Sequence, residues 1–189
     1  MHMNFSEQII REYRKNADMR LAFVCRLMIG FMLLVALLNI TGVFTIAPLP
    51  LYLTTVISVF NFILPTLFYN ILKIHSTKIR YFILAIVVIQ SGLQYAALSY
   101  HTIIMLVFPL IMACLYNEKK YVIYTAILTM PMIVISHLAA FYLKIVPDEP
   151  LITLKGTILY GIVPRTIEIF AVVILCYTIS DRIEKLVNT

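Results

Sequence analysis

Arg165 and Glu168 stand three residues apart in GIVPRTIEIF (161–170), a cation and a carboxylate inside an otherwise apolar run. At that spacing they share one face of a helix and can pair. Further back, Gln90 and Gln94 are four apart, with Ser91 between them and Tyr95 beside them. Ser136 and His137 follow Pro131, and Asn61 precedes Pro65. Tyr100 and His101 stand at the outer rim, where the third apolar run gives way to the fourth. In an apolar solvent such groups have two uses. They hold a polar ligand or carry a proton, or they neutralise one another and glue helices together. Arg165, Glu168, Gln90, Gln94, Tyr95 and His137 are therefore the candidate ligand-binding set. Pro164 lies next to Arg165 and removes a backbone hydrogen bond there, with Gly156 and Gly161 adding freedom. The competing reading makes Arg165–Glu168 a packing pair, His137 a satisfied core histidine and the prolines simple kinks.

What positions these residues follows from composition. Of 189 residues, 62% are hydrophobic and 13% are charged. Ordinary soluble domains are about half apolar and a quarter charged. The chain belongs to the membrane class. Six apolar stretches approach the roughly 20 residues that cross a bilayer as helix: 21–46, 51–71, 81–99, 101–116, 121–143 and 154–180. The fourth is short and carries Pro109. The expected fold is all-α: six transmembrane helices over 21–180, an N-terminal amphipathic helix over 1–20 and a signalling helix beginning at 181–189. Ser6 is a candidate cap for the amphipathic segment, in which Phe5, Ile9, Ile10 and Tyr13 recur near helical spacing. Lying on the inner membrane surface is its simplest role, and docking to a cytoplasmic partner the other.

Charge sets the expected orientation. With the N-terminus inside, the inner segments carry Arg11, Arg14, Lys15, Arg20, Arg26, Lys73, Lys78, Arg80, Lys119, Lys120, Arg182 and Lys185, against Lys144 and Lys155 outside. That asymmetry places both termini in the cytoplasm and agrees with an even number of spans in an inner (plasma) membrane. It also accounts for the +6 formal charge. No basic stretch with interleaved aromatics marks a nucleic-acid site. The first apolar run is too long for a signal-peptide core and reads as a span that stays. Cys25, Cys114 and Cys176 form no CxxC pair and read as small buried hydrophobes, and the four histidines have no metal-ligand spacing. No cofactor is expected. HExxH, GxSxG and DxxD are absent, and a carboxylate paired to a guanidinium is a poor general base, so an enzyme is not expected.

The last span continues as SDRIEKLVNT without Gly or Pro. Ile179, Ile183 and Leu186, with Cys176 behind them, step by four and three as in a left-handed coiled coil. These residues, with Pro164, are the candidate signal relay. The abrupt end and the MHM start suggest a piece of a longer protein.

Three stretches carry a family likeness: MACLYNEKKYVIYTAILT (112–129), LLNITGVF (37–44), and PRTIEIF (164–170) followed by SDRIEKL (180–186). In layout the chain resembles the N-terminal membrane sensor modules of bacterial signalling proteins, the input regions of diguanylate cyclases and histidine kinases. In such modules a short basic turn links two central spans and the last helix feeds the output domain. The resemblance implies signal reception, a homodimer, a cytoplasmic output domain in cis, and membrane lipid or a small molecule as partner. It assigns no binding residue. The alternative is the substrate-capturing subunit of a small-molecule transporter. With only five glycines and no ladder of small residues, close helix approach has little sequence support.

If Arg165 and Glu168 pair, Arg165→Ala leaves a carboxylate stranded. Thermal unfolding in detergent is expected to show a larger loss for Arg165→Ala than for Arg165→Ala with Glu168→Ala. Equal losses would mean that the two do not interact.

Overall fold

The computed structural model describes residues 5–44, 46–98, 102–145 and 151–188. Tyr100 and His101 fall outside these, as does the side chain of Ser6. Every regular element among the described residues is helical: α1 (Phe5–Ile40), α2 (Pro48–Thr66), α3 (Thr77–Ala97), α4 (Ile104–Cys114), α5 (Lys119–Tyr142), α6 (Leu154–Gly156) and α7 (Val163–Asn188). Two π turns interrupt the pattern, Leu67–Ile71 and Thr157–Ile162. Each abuts a proline, Pro65 on one side and Pro164 on the other. A proline has no N–H to donate and its ring crowds the preceding turn, so the hydrogen-bond ladder changes step nearby.

Among the described residues five helices are long and apolar enough to cross a membrane: Ile10–Ile40, Pro48–Ile71, Thr77–Ala97, Lys119–Tyr142 and Leu154–Leu186. The fourth apolar stretch yields an 11-residue helix, α4. At 1.5 Å per residue that is about 16 Å, well short of a bilayer core. The chain turns at 115–117 instead of extending the helix, with Asn117 in the left-handed region at φ 51°. The segment expected as a separate surface helix is continuous with the first span. α1 runs 36 residues without a break, about 54 Å at the usual rise. Its buried stripe, Ala17, Asp18, Leu21, Ala22, Cys25, Met32 and Val35, crosses the expected boundary at residue 20.

α3 is the most buried span and packs on α2, α4 and α5. α1 packs mainly on α2, and α7 on α5 and α4. Asn39 closes the α1–α2 turn. Its amide donates to the carbonyls of Phe44 (2.7 Å) and Ile46 (3.0 Å), and its oxygen accepts from the Tyr52 hydroxyl (3.0 Å). Gly42 sits in this turn at φ 74°, where a side chain would be strained. Thr54, Thr55, Ser58, Thr129, Ser136 and Thr166 each bond the carbonyl four residues back. That is how hydroxyls are accommodated where water is absent. Large apolar side chains face outward on several helices, among them Leu27, Phe60, Ile63, Ile127, Ile167 and Phe170. An outward apolar surface of this extent suits lipid.

The starts of α3 and α5 and the ends of α4 and α7 gather around the first turns of α1, at one end of the bundle. Asp18 meets Arg80 and Tyr116, Arg14 meets Glu118, and Lys119 meets Asp181. The described parts nearest the two chain ends thus share an end.

Gly92 sets the approach of α3 to α5. A Cβ there would lie 2.9 Å from the Ser136 hydroxyl and closer still to Met132. Gly92→Val is expected to lower stability by roughly 1–3 kcal/mol, seen as a reduced unfolding temperature in detergent. An unchanged temperature would mean that the helices part at no cost.

Candidate functional site

The densest polar site is at the shared end, around a residue that the sequence pattern did not single out. Asp18 is fully buried. Its Oδ1 accepts from Arg80 Nε (2.9 Å) and the Tyr116 hydroxyl (3.0 Å). Its Oδ2 accepts from Arg80 Nη2 (2.9 Å) and His75 Nδ1 (2.9 Å). A carboxylate has about four lone-pair sites, and here four contacts fill them. A carboxylate only accepts, so Nδ1 carries the proton in the His75 contact. The fork from Arg80 is the bidentate geometry that most favours this pair. Arg80 is itself buried, 5.7 Å from the centre of the Tyr116 ring. The His75 ring stacks on Tyr69 at 5.8 Å and 7°. The Tyr69 phenol and the Asp18 carboxylate both lie against the Tyr116 hydroxyl.

Local structure delivers these groups. Asp18 lies three, four and seven residues before Leu21, Ala22 and Cys25, on the buried stripe of α1. Arg80 is in the first turn of α3, where Ser76 caps the helix by accepting from the Ile79 N–H (3.3 Å). Lys73 adopts φ 53° and turns the chain from the first π turn toward His75. The turn after α4 supplies Tyr116.

That same turn is held from both sides. On the α1 side Arg14 Nε reaches Glu118 Oε1 at 2.7 Å and Tyr13 donates to the Leu115 carbonyl (3.2 Å), with Asn117 on the Tyr13 hydroxyl. On the α7 side Lys119 Nζ meets Asp181 Oδ1 (3.0 Å), and the Lys119 N–H donates to Glu184 Oε2 (3.1 Å). α1 and α7 are thereby joined through Leu115–Lys119.

The six candidate ligand residues divide into two groups. Gln90 and Gln94 bond toward α2. Gln90 donates to the Ser58 hydroxyl (2.6 Å) and accepts from Asn61 (2.7 Å), and Gln94 donates to Ser58 (3.1 Å). These are buried contacts between neighbouring helices. Tyr95, His137, Arg165 and Glu168 do meet. His137 Nδ1 lies 2.8 Å from the Ile133 carbonyl, so that nitrogen carries the proton and Nε2 accepts from the Tyr95 hydroxyl at 3.3 Å. Arg165 interacts with Tyr95 and donates to both oxygens of Glu168 (3.0 and 2.8 Å). The pair is not enclosed: its side chains are 32% and 47% exposed. Gly161 lets the second π turn close on this group, since a Cβ there would stand 2.7 Å from the His137 ring.

The candidate relay residues do not share one surface. Ile179 and Leu186 face outward and Ile183 is half-buried. Cys176 turns inward and is buried, with Cys114 Sγ 3.9 Å from its carbonyl oxygen. Inward positions on α7 follow Ile169, Cys176 and Ser180, a stripe that shares only Cys176 with the seam read in the sequence.

The architecture and composition define an all-helical, membrane-embedded protein. No family model, curated protein or solved structure matches the chain.

Removing Arg80 strands a buried carboxylate. Arg80→Ala is expected to cost about 3–5 kcal/mol, and Asp18→Ala with Arg80→Ala less than the sum of the two single changes. Tyr116→Phe is expected to cost about 1 kcal/mol. A denaturation cycle in detergent with additive losses would sever the pair.

Proposed function

We propose that the chain is a membrane-embedded signal-input module whose readout is the end of α7. The observation that carries this reading is the junction at Leu115–Lys119. A change in how α1 sits against α3 and α4 reaches α7 through Glu118 and Lys119, without crossing the bilayer. α7 itself continues past this junction to Asn188 as unbroken helix. A rigid helix tied at one point transmits rotation or tilt to whatever follows it. Two packings of such a helix, biased by contacts at the inner end, make a switch.

In this reading α4 with its flanking turns is a sixth, short crossing, and the end bearing the Asp18 cluster is cytoplasmic. The twelve inner Lys and Arg against two outer ones support that orientation, and a bacterial inner membrane is the corresponding location. The outward face of α7, with Ile167, Phe170, Ile174 and Leu175 exposed, is the surface on which a second copy pairs, bringing two exit helices together for an output domain. A substrate-capturing transport subunit is the second reading. It is favoured by the π turn beside Arg165, because interrupted helices line substrate sites in transporters.

The test is to fuse the chain after Asn188 to a cytoplasmic reporter domain whose activity depends on helix pairing, and to insert one to four alanines at the fusion point. Each insertion turns the downstream helix by about 100°. Reporter output is expected to rise and fall with that phase, and Lys119→Ala is expected to shift its resting level. An output indifferent to both would rule out the relay.

A further inference from the structure

Beside the Asp18 cluster lies an open cleft of about 1350 Å³ between α1, the first π turn, the Lys73–His75 connection and the start of α3. Its lining is strongly basic. Arg11, Arg14, Lys15, Lys73 and Arg80 face it, with Glu12 the one acidic residue among the described residues that line it. Arg14 and Arg80 are already neutralised by Glu118 and Asp18. Arg11, Lys15 and Lys73 have no partner among the described residues.

More than loose surface charge is present. His75 also lines the cleft, and its Nδ1 is committed to Asp18, which leaves Nε2 without a partner among the described residues. Tyr69 is 1% exposed with its phenol against Tyr116, and the side-chain amide oxygen of Asn70 beside it completes no hydrogen bond among the described residues. Both residues line the same cleft. Thr77, at the start of α3, lines it too and adds the positive end of a helix dipole. Uncompensated cations, an imidazole nitrogen and a free amide oxygen match one ligand chemistry: a phosphate anion carrying hydroxyl groups. The rim is apolar, with Ile10 and Met19 in the lining and Ile71 and Leu72 exposed close by in sequence. A cleft at the end of spanning helices with such a rim suits a headgroup whose acyl chains remain in the bilayer.

We propose that this cleft is a binding site for a phosphate-bearing anion, with the headgroup of an anionic membrane lipid as its natural source. Binding stands apart from what α7 does, and it would be retained if the relay were disproved. Its position has one consequence for the relay: the ligand touches the helix face from which Arg14 and Asp18 reach the α4–α5 turn.

The experiment is lipid binding by the whole purified chain in detergent, followed by native mass spectrometry with phosphatidylglycerol and phosphatidylcholine, with inorganic phosphate as competitor. Wild type is expected to retain one phosphatidylglycerol in preference to phosphatidylcholine, with a salt-sensitive affinity. Arg11→Gln, Lys15→Gln and Lys73→Gln together are expected to weaken it by roughly a hundredfold, at the usual contribution of a basic residue near a membrane surface. These three side chains support no described contact, so folding is expected to survive. The charge-keeping variant Arg11→Lys with Lys15→Arg is expected to bind as wild type does. Lys78→Gln, Arg182→Gln and Lys185→Gln, three cations outside the cleft, serve as the control. A control loss equal to the cleft loss would overturn the site and leave only general basicity, as would the absence of any preference for phosphatidylglycerol together with no effect of phosphate. Displacement by millimolar phosphate would assign recognition to the phosphate alone, and resistance to it would assign recognition to the whole lipid. Either result upholds the site.

Discussion

A carboxylate taken out of water has to find hydrogen-bond donors inside the protein or lose its charge. Asp18 finds them in three places at once: the start of α3, the connection before it, and the turn after α4. No one of these segments is near it in sequence, and each is drawn to one spot by the need to saturate the same two oxygens. The rest of the inner end follows from that demand. Arg80 is held with its guanidinium against Tyr116, His75 is turned onto Tyr69, and the α4–α5 turn is fixed against α1. A buried pair of this kind is weak evidence of net stability, because desolvation offsets much of the attraction. Its force lies in specificity. A packing that parted α1 from the start of α3 would leave a buried charge unmatched.

The consequence is an asymmetric bundle. One end is tied by charges into a single polar assembly spanning α1, α3, the α4–α5 turn and the last turns of α7. The far end is closed by lighter contacts, such as the Asn39 amide over the α1–α2 turn. Between them run two separate polar layers. Ser58, Asn61, Gln90 and Gln94 stitch α2 to α3, while Tyr95, His137, Arg165 and Glu168 line the contact of α3, α5 and α7. The second layer opens outward at Glu168. It is the only one of the two that carries formal charge, and it sits beside a π turn where the helix has already changed step. α7 is the least buried of the spans. Besides its packing on α4 and α5, it is tied by Lys119, which holds both Asp181 and Glu184.

Composition and hydropathy alone determined the all-helical, membrane-type architecture, because a chain this apolar must satisfy its backbone within each segment. Five of the six expected long helices were legible for the same reason, and so was the pairing of Arg165 with Glu168, since residues three apart in a helix are neighbours whatever surrounds them. The bases on one set of loops were legible as a pattern of sign. Their partners were not. Asp18 lies in a stretch crowded with Arg11, Arg14, Lys15 and Arg20, where one acid reads as solvated, and the only hint was its register with Leu21, Ala22 and Cys25.

The tertiary structure decided the rest. Sequence spacing reports which residues share a face of one helix. It does not report which helix that face meets. Gln90 and Gln94 shared a face as expected, yet that face met α2 and not the layer of Arg165. Ile179 and Leu186 kept coiled-coil spacing, yet of that seam only Cys176 lies on the inward stripe of α7, which runs on through Ser180 because α4 and α5 approach from that side. The length of α4 was set by a turn that places Tyr116 on Asp18, a contact between residues 98 apart in the chain. Sequence determined each helix as an object. The long-range match between one buried acid and its donors decided how the helices met.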